Sequence, residues 1–128
     1  MAFKSPPPQL SPSLPILQKA SSAYKLWHET LQHFPRLERF TIGVKIDGLF
    51  SEVLEYILLA GYSAKAQKLP IVQRATTKLD AVKFFVNIAW ELKALDSKKY
   101  LGLSEPLTEI GRMLGGWRKQ LENNTPTE

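Results

Sequence analysis

No cysteine occurs among the 128 residues. This excludes a disulfide framework and any thiolate metal site, and it fits a reducing cytoplasm. Histidine is nearly missing too, with only His28 and His33. No run approaches the roughly 20 apolar residues needed to span a bilayer, so no membrane role is expected. At the start, Phe3-Lys4-Ser5 leads into three prolines without an apolar h-region, which is not the pattern of a secretory signal. Strict polar–apolar alternation, the mark of a half-buried strand, is absent. So are a phosphate-cradling glycine loop and a nucleophile elbow.

The two histidines do not repair the gap. His28-Glu29-Thr30-Leu31-Gln32-His33 is one residue too long for a zinc-protease helix. At about 100° per residue the two imidazoles point roughly 140° apart, whereas the true motif sets them four apart. The Glu-x-x-His pairs of a di-iron bundle are also missing. Glu52 and Glu55 read most simply as surface carboxylates. No catalytic residue, metal ligand or cofactor follows from the sequence, and the chain is expected not to be an enzyme.

Negative charge is the scarcer sign: 12 acids stand against 17 lysines and arginines, a net charge of +5. The excess is concentrated. Lys65, Lys68, Arg74, Lys78 and Lys83 face the single acid Asp80, a local surplus of +4. Such a stretch is the electrostatic footprint of a phosphate-binding surface, although a solvated helix face has the same composition.

With 44% hydrophobic residues the chain reads as one soluble domain with a modest core. Five of nine prolines fall in Met1–Pro15, so residues 1–14 are expected to form a disordered, proline-rich tail, and residues 123–128 a second tail. Residues 15–122 carry helical periodicity. Leu17, Ala20, Tyr24, Trp27, Leu31 and Phe34 predict a first helix from about Pro15 to His33, with Pro15 in its first turn and Pro35 as its stop. Ile42, Ile46, Leu49, Val53 and Ile57 predict a second, from Leu37 to Ala60, closed by Gly61 as a left-handed cap.

A third helix is predicted from Lys68 or Pro70 to Asp96. Ala75, Leu79, Val82, Val86 and Ala89 form one stripe, and Phe84, Phe85, Ile88, Trp90, Leu92 and Leu95 widen it beyond what a small monomeric bundle needs. A subunit interface is the expected use of that extra girth. The fourth helix is expected after Leu103, with Ser104 as N-cap and Pro106 in its first turn. The fold class is therefore all-α, an antiparallel up-down-up-down four-helix bundle.

Glycines and paired arginines complete the reading. Gly111, Gly115 and Gly116 each cost about 1 kcal/mol against alanine within a helix. Close packing against Gly111 and Gly115, with Trp117 filling the space, is the expected compensation; a kinked or frayed helix is the competing one. Gly43 is placed at a crossing near the first turn, while Gly48 has no evident purpose. Arg36 and Arg39 are three apart and offer two guanidinium forks to phosphate, or else an ordinary ion pair with Glu38 or a bond to a helix-terminal carbonyl. Arg112, Arg118 and Lys119 on the last helix reach the same solvent only if the helices are suitably placed.

Three stretches carry a family resemblance. They are Phe34-Pro35-Arg36-Leu37-Glu38-Arg39-Phe40-Thr41-Ile42-Gly43; Leu58-Leu59-Ala60-Gly61 followed by Lys68-Leu69; and Glu109-Ile110-Gly111-Arg112-Met113-Leu114-Gly115-Gly116-Trp117. Together, over roughly Ile16 to Leu121, the chain resembles the accessory variability determinants of diversity-generating retroelements. The resemblance implies a four-helix bundle assembling into a homopentameric barrel. Its implied partners are the retroelement's reverse transcriptase and RNA, with DNA or an RNA/DNA hybrid besides, in support of mutagenic reverse transcription. The implied role is non-catalytic, without cofactor. The candidate contacts are Lys65, Lys68, Arg74, Lys78 and Lys83, then Arg36, Arg39, Arg112, Arg118 and Lys119. Related four-helix proteins of ribosomal-RNA intervening sequences share the turn near Arg36–Gly43, so a general RNA-binding bundle is one alternative. A structural helical oligomer is another.

Overall fold

The computed structural model describes residues 14–124; of the two terminal tails expected from the sequence, residues 1–13 and 125–128 lie outside that range. All secondary structure among the described residues is helical: α1 (Pro15–Leu31), α2 (Arg36–Phe40), α3 (Ile42–Tyr62), α4 (Lys65–Glu91) and α5 (Ser97–Asn123). Of the expected second tail, Asn123 instead closes α5 and Asn124 caps it.

The first helix starts where expected, with Pro15 at its first position, where a missing N–H costs nothing. Its buried face is Ile16, Ala20, Ala23, Trp27 and Thr30. Leu17, Tyr24 and Leu31 of the expected stripe lie at its edge, partly buried against the core. Thr30 is buried but satisfied, its hydroxyl donating to the Leu26 carbonyl at 2.9 Å. After α1, Phe34 turns into the core and meets Trp27 edge-on, with ring centres 5.5 Å apart.

The second predicted helix is two. Thr41, at φ −115° and ψ −91°, breaks it into α2 and α3. The break lets α3 pass close to the end of α1 at Gly43, where an added Cβ would lie 2.7 Å from Leu31 Cδ1 and 3.1 Å from the Glu38 carbonyl. Gly43 therefore sits at the crossing expected of it. Gly61 does not cap α3: it lies inside the helix, has no positive φ, and leaves room for Leu14, whose Cδ2 is 2.9 Å from where its Cβ would be.

The third predicted helix starts three residues earlier and ends five earlier than its periodicity suggested. Pro70 is accommodated within α4. The carbonyl it leaves without a helical donor belongs to exposed Ala66. The helix stops because Lys93 adopts φ 64°. Lys93 N–H donates to the Trp90 carbonyl and Ala94 N–H to the Ala89 carbonyl, the two bonds of a Schellman cap.

Asp96, expected to end that helix, begins the next. Its side chain accepts from the Lys99 N–H at 2.8 Å as the N-cap of α5. Ser104 is thus not an N-cap; its hydroxyl donates to the Tyr100 carbonyl within the helix. Pro106 lies well inside α5 rather than in its first turn, and the carbonyl it orphans belongs to exposed Gly102.

α3 packs on α1 and α4, and α5 packs on α4 and α1, so the four long helices enclose one core. Its largest fully buried side chains include Trp27, Phe34, Phe50, Ile46, Ile57 and Leu79. Ala75, Leu79, Val82, Val86 and Ala89 are all buried, as the stripe on the third helix predicted. Of the residues that widened that stripe, Phe84, Trp90 and Leu92 remain exposed, while Leu95 is buried beyond the end of α4.

Candidate nucleic-acid interface

α4 is 27 residues long, about 40 Å at the helical rise, and it presents the basic stretch. The five candidates do not form one stripe. Lys65 and Lys83 are 18 residues apart, about five turns, and share a side. Arg74, nine residues from each, is about two and a half turns away and points opposite, together with Lys78. The contacts agree. Lys78 reaches Glu52 on α3 at 3.0 Å, whereas the Lys83 ammonium lies 3.0 Å from where a Cβ on Gly111 of α5 would be.

Their availability differs as well. Lys68 is occupied, its ammonium donating to the Ala60 carbonyl at 2.6 Å and the Gly61 carbonyl at 3.4 Å. It closes the carbonyl end of α3, where a cation also meets the favourable end of the helix dipole. Lys78 is half-neutralised by Glu52. Among the described residues, Lys65 and Arg74 are exposed and find no ion-pair partner, and Lys83 is partly buried without an acid partner.

The second group is scattered. Arg36 lies over the Phe40 ring, 5.8 Å from its centre, and Arg39 donates to the Phe34 carbonyl at 3.1 Å. Arg39 therefore closes the α1–α2 turn instead of projecting beside Arg36. On α5, Arg112 pairs with Glu109 and Arg118 with Glu122, one helical turn away in each case. Lys119 is exposed and has no ion-pair partner among the described residues.

Sequence reasoning passed over other free cations. Lys19 and Lys25 on α1, Lys93 in the α4–α5 turn and Lys98 in the first turn of α5 are exposed and form no ion pair among the described residues. Only their polar positions on the helical wheel marked them. It also missed a polar tie in the wall of the core. Asp47 Oδ1 accepts from the Tyr24 hydroxyl at 2.8 Å and from the Trp27 indole at 3.1 Å. Burial, helped by the hydrogen bond and the charge of Asp47, raises the Tyr24 phenol above its ordinary value.

The histidine stretch comes apart in space. His28 stacks on Tyr24 at 6.4 Å, while His33 lines a cleft of about 200 Å³ with Glu29, Thr30, Leu26, Lys99 and Gly102. Among the described residues, no three or more of His, Cys, Asp and Glu gather as metal ligands. None of the helices is long and apolar enough to cross a membrane.

Of the four glycines in α5, only Gly111 has a close neighbour among the described residues, the chain of Lys83 with Leu79 behind it. Gly115 and Gly116 face open space, and α5 runs on through them. Gly111 is closely packed as expected, but by Lys83 and Leu79 rather than by Trp117, and Gly115 is not; Trp117 lies partly buried against the core.

The family model described as bAvd-like matches residues 14–121, from the N-cap of α1 to the last buried leucine of α5. The chain belongs to the bAvd-like family. No curated protein matches it. Membership suggests an accessory role in diversity-generating retroelements, in a family of non-catalytic proteins. In this bAvd-like chain the match takes in all three stretches on which the resemblance rested: the α1–α3 turn, the end of α3 with Lys68-Leu69, and the glycine-bearing part of α5.

Proposed function

We propose that this bAvd-like protein is a non-catalytic partner of a retroelement reverse transcriptase, and that it holds template RNA, or the RNA/DNA copy, on a basic surface. The observation that carries this reading is the state of the cations on α4. Only Lys78 among the five is ion-paired, and Lys65 and Arg74 project freely into solvent. Unpaired lysine and arginine are what a polyanion recruits, because each phosphate contact releases a condensed counterion. Lys65, Lys83 and Arg74 are the first contacts in this reading, and Lys119 the next. Lys68, committed to the end of α3, contributes field rather than contact.

The four long helices are read as an up-down-up-down bundle that assembles into a homopentameric barrel in the cytoplasm. The exposed Phe84, Trp90 and Leu92 support a subunit contact along α4. Five copies of a +5 chain would carry about +25, enough to steer nucleic acid from a distance. The test is co-purification with the polymerase of the same retroelement, scored for complex mass and complementary-DNA synthesis. The reading expects a stable complex containing five copies of this chain and synthesis that depends on it. Synthesis equally efficient without the protein would overturn it.

A further inference from the structure

Trp90 stands in the last turn of α4, and its ring is held in place twice over. Tyr100 of α5 stacks on it, with ring centres 5.3 Å apart and planes 28° from parallel. The indole N–H donates to the Ser97 hydroxyl at 3.2 Å. Tyr100 is fixed in turn, its own hydroxyl donating to Asn87 Oδ1 at 3.2 Å. The indole is thus set in one orientation before anything binds, yet Trp90 remains 38% exposed. Tyr100 takes one face, which leaves the other for a further flat group. A subunit contact along α4 does not need this ring. Phe84 and Leu92 lie about 80° apart around the helix, whereas Trp90 is about 120° from the first and about 160° from the second. A copy lying over Phe84 and Leu92 leaves Trp90 to the side.

The residues that follow Trp90 are mostly charged. Of the seven exposed residues from Glu91 to Lys99, only Leu92 is apolar. Lys93, whose N–H donates to the Trp90 carbonyl, and Lys98, next to Ser97, form no ion pair among the described residues. Lys93 also holds φ 64°, so an ammonium is kept where glycine would be free of steric cost. Of the two acids, Asp96 is spent on the cap of α5 and lies 3.9 Å from the Lys99 ammonium, while Glu91 is uncommitted. Such surroundings suit a solvated polyanion, whereas the anchor of a protein interface is ringed by contacts that exclude water.

We propose that Trp90 is a stacking platform for one base of an unpaired nucleic-acid strand, with Lys93 and Lys98 meeting the flanking phosphates. An aromatic face accepts any base, and lysines beside it follow the backbone, which is how single strands are held without sequence preference. A duplex keeps its bases stacked on one another and offers none to the ring. This assignment rests on the reading of the chain as a nucleic-acid-binding protein. It adds that a single strand is gripped through a base as well as through charge.

The test compares two strands of about 12 nucleotides with identical phosphates, one an oligothymidylate and the other abasic throughout, on the full chain. The native chain should bind the base-bearing strand about tenfold more tightly, with quenching of tryptophan emission. Trp90→Leu keeps an apolar side chain without a ring; it should bind both strands alike and leave the salt dependence unchanged. Trp90→Phe should keep most of the preference and lose the quenching. Lys93→Glu with Lys98→Glu should reduce the salt slope for both strands. Melting curves and assembly mass accompany each variant. If Trp90→Leu fails to fold, the native comparison and the quenching in Trp90→Phe still decide. Equal binding of the two strands by the native chain, a preference that survives in Trp90→Leu, or quenching that survives in Trp90→Phe would overturn this inference. So would an unchanged salt slope in the double lysine variant, or a smaller assembly in Trp90→Leu, which would make the ring a self-contact. In each of those cases salt-dependent binding by the native chain leaves the basic surface of α4 standing. Binding of neither strand would overturn both.

Discussion

The indole of Trp27 donates to Asp47 Oδ1 at 3.1 Å, so a fully buried side chain of α1 is tied to a carboxylate of α3. Tyr24 donates to the same oxygen at 2.8 Å. Replacing Asp47 with alanine would leave both donors without an acceptor, one of them deep in the core. The expected loss is about 2–4 kcal/mol, read by denaturant unfolding. Asp47→Asn, which keeps one acceptor, should cost less.

The raised Tyr24 phenol gives that tie a pH signature. In the unfolded chain the phenol ionises near 10.0, while in the folded chain it keeps its proton to higher pH. The unfolded state therefore binds fewer protons in that window. The stability contribution is complete below the unfolded value and is lost as pH rises through the folded one. Tyr24→Phe should reduce the steepness of the alkaline decline, measured by urea midpoints between roughly pH 9 and 11. An unchanged slope would place the titration elsewhere.

Glycines that look alike in sequence should behave in opposite ways. Gly43→Ala drives a methyl toward Leu31 and the Glu38 carbonyl and should destabilise by roughly 1–3 kcal/mol. Gly48→Ala, Gly115→Ala and Gly116→Ala meet nothing within 4 Å and should each stabilise the protomer by about 1 kcal/mol. Thermal melts of the four variants check this. If Gly115→Ala or Gly116→Ala instead shrinks the assembly, a neighbouring copy packs on that face.

Lys93 holds φ 64° at the end of α4, a conformation that glycine adopts without steric cost. Lys93→Gly should raise stability by about 1 kcal/mol, seen as a higher melting temperature with unchanged helix content. A lower melting temperature would mean that the lysine side chain makes a contact worth more than the strain.

Much of the helical layout was legible because buried positions recur every three or four residues. Ile46, Leu49, Val53 and Ile57 are buried on α3, and Leu103, Leu107, Ile110 and Leu114 on α5, as periodicity required. Boundaries were less legible for local reasons. Thr41 carries no strong breaker signal, yet the chain bends there just before the close passage at Gly43. A lysine in the left-handed region ends α4, where glycine would have announced the stop. Pro70 and Pro106 read as boundaries because proline usually marks one, yet each orphaned carbonyl belongs to an exposed residue, Ala66 or Gly102. The candidate site was legible as charge but not as geometry. Wheel angles alone separate Lys83 from Arg74, whereas the engagement of Lys68 by the end of α3 needs the fold.

The most direct measurement of the central claim is RNA binding as a function of salt, for the native chain and for variants on each side of α4. If Lys65, Arg74 and Lys83 contact phosphate, log K should fall with log salt, with a slope of about 0.7–0.9 for each contacted phosphate. Lys65→Glu with Lys83→Glu, and separately Arg74→Glu, should each flatten that slope, while Arg118→Glu, a cation already paired with Glu122, should change it least. A native slope near zero, or one that none of these changes alters, would contradict the account.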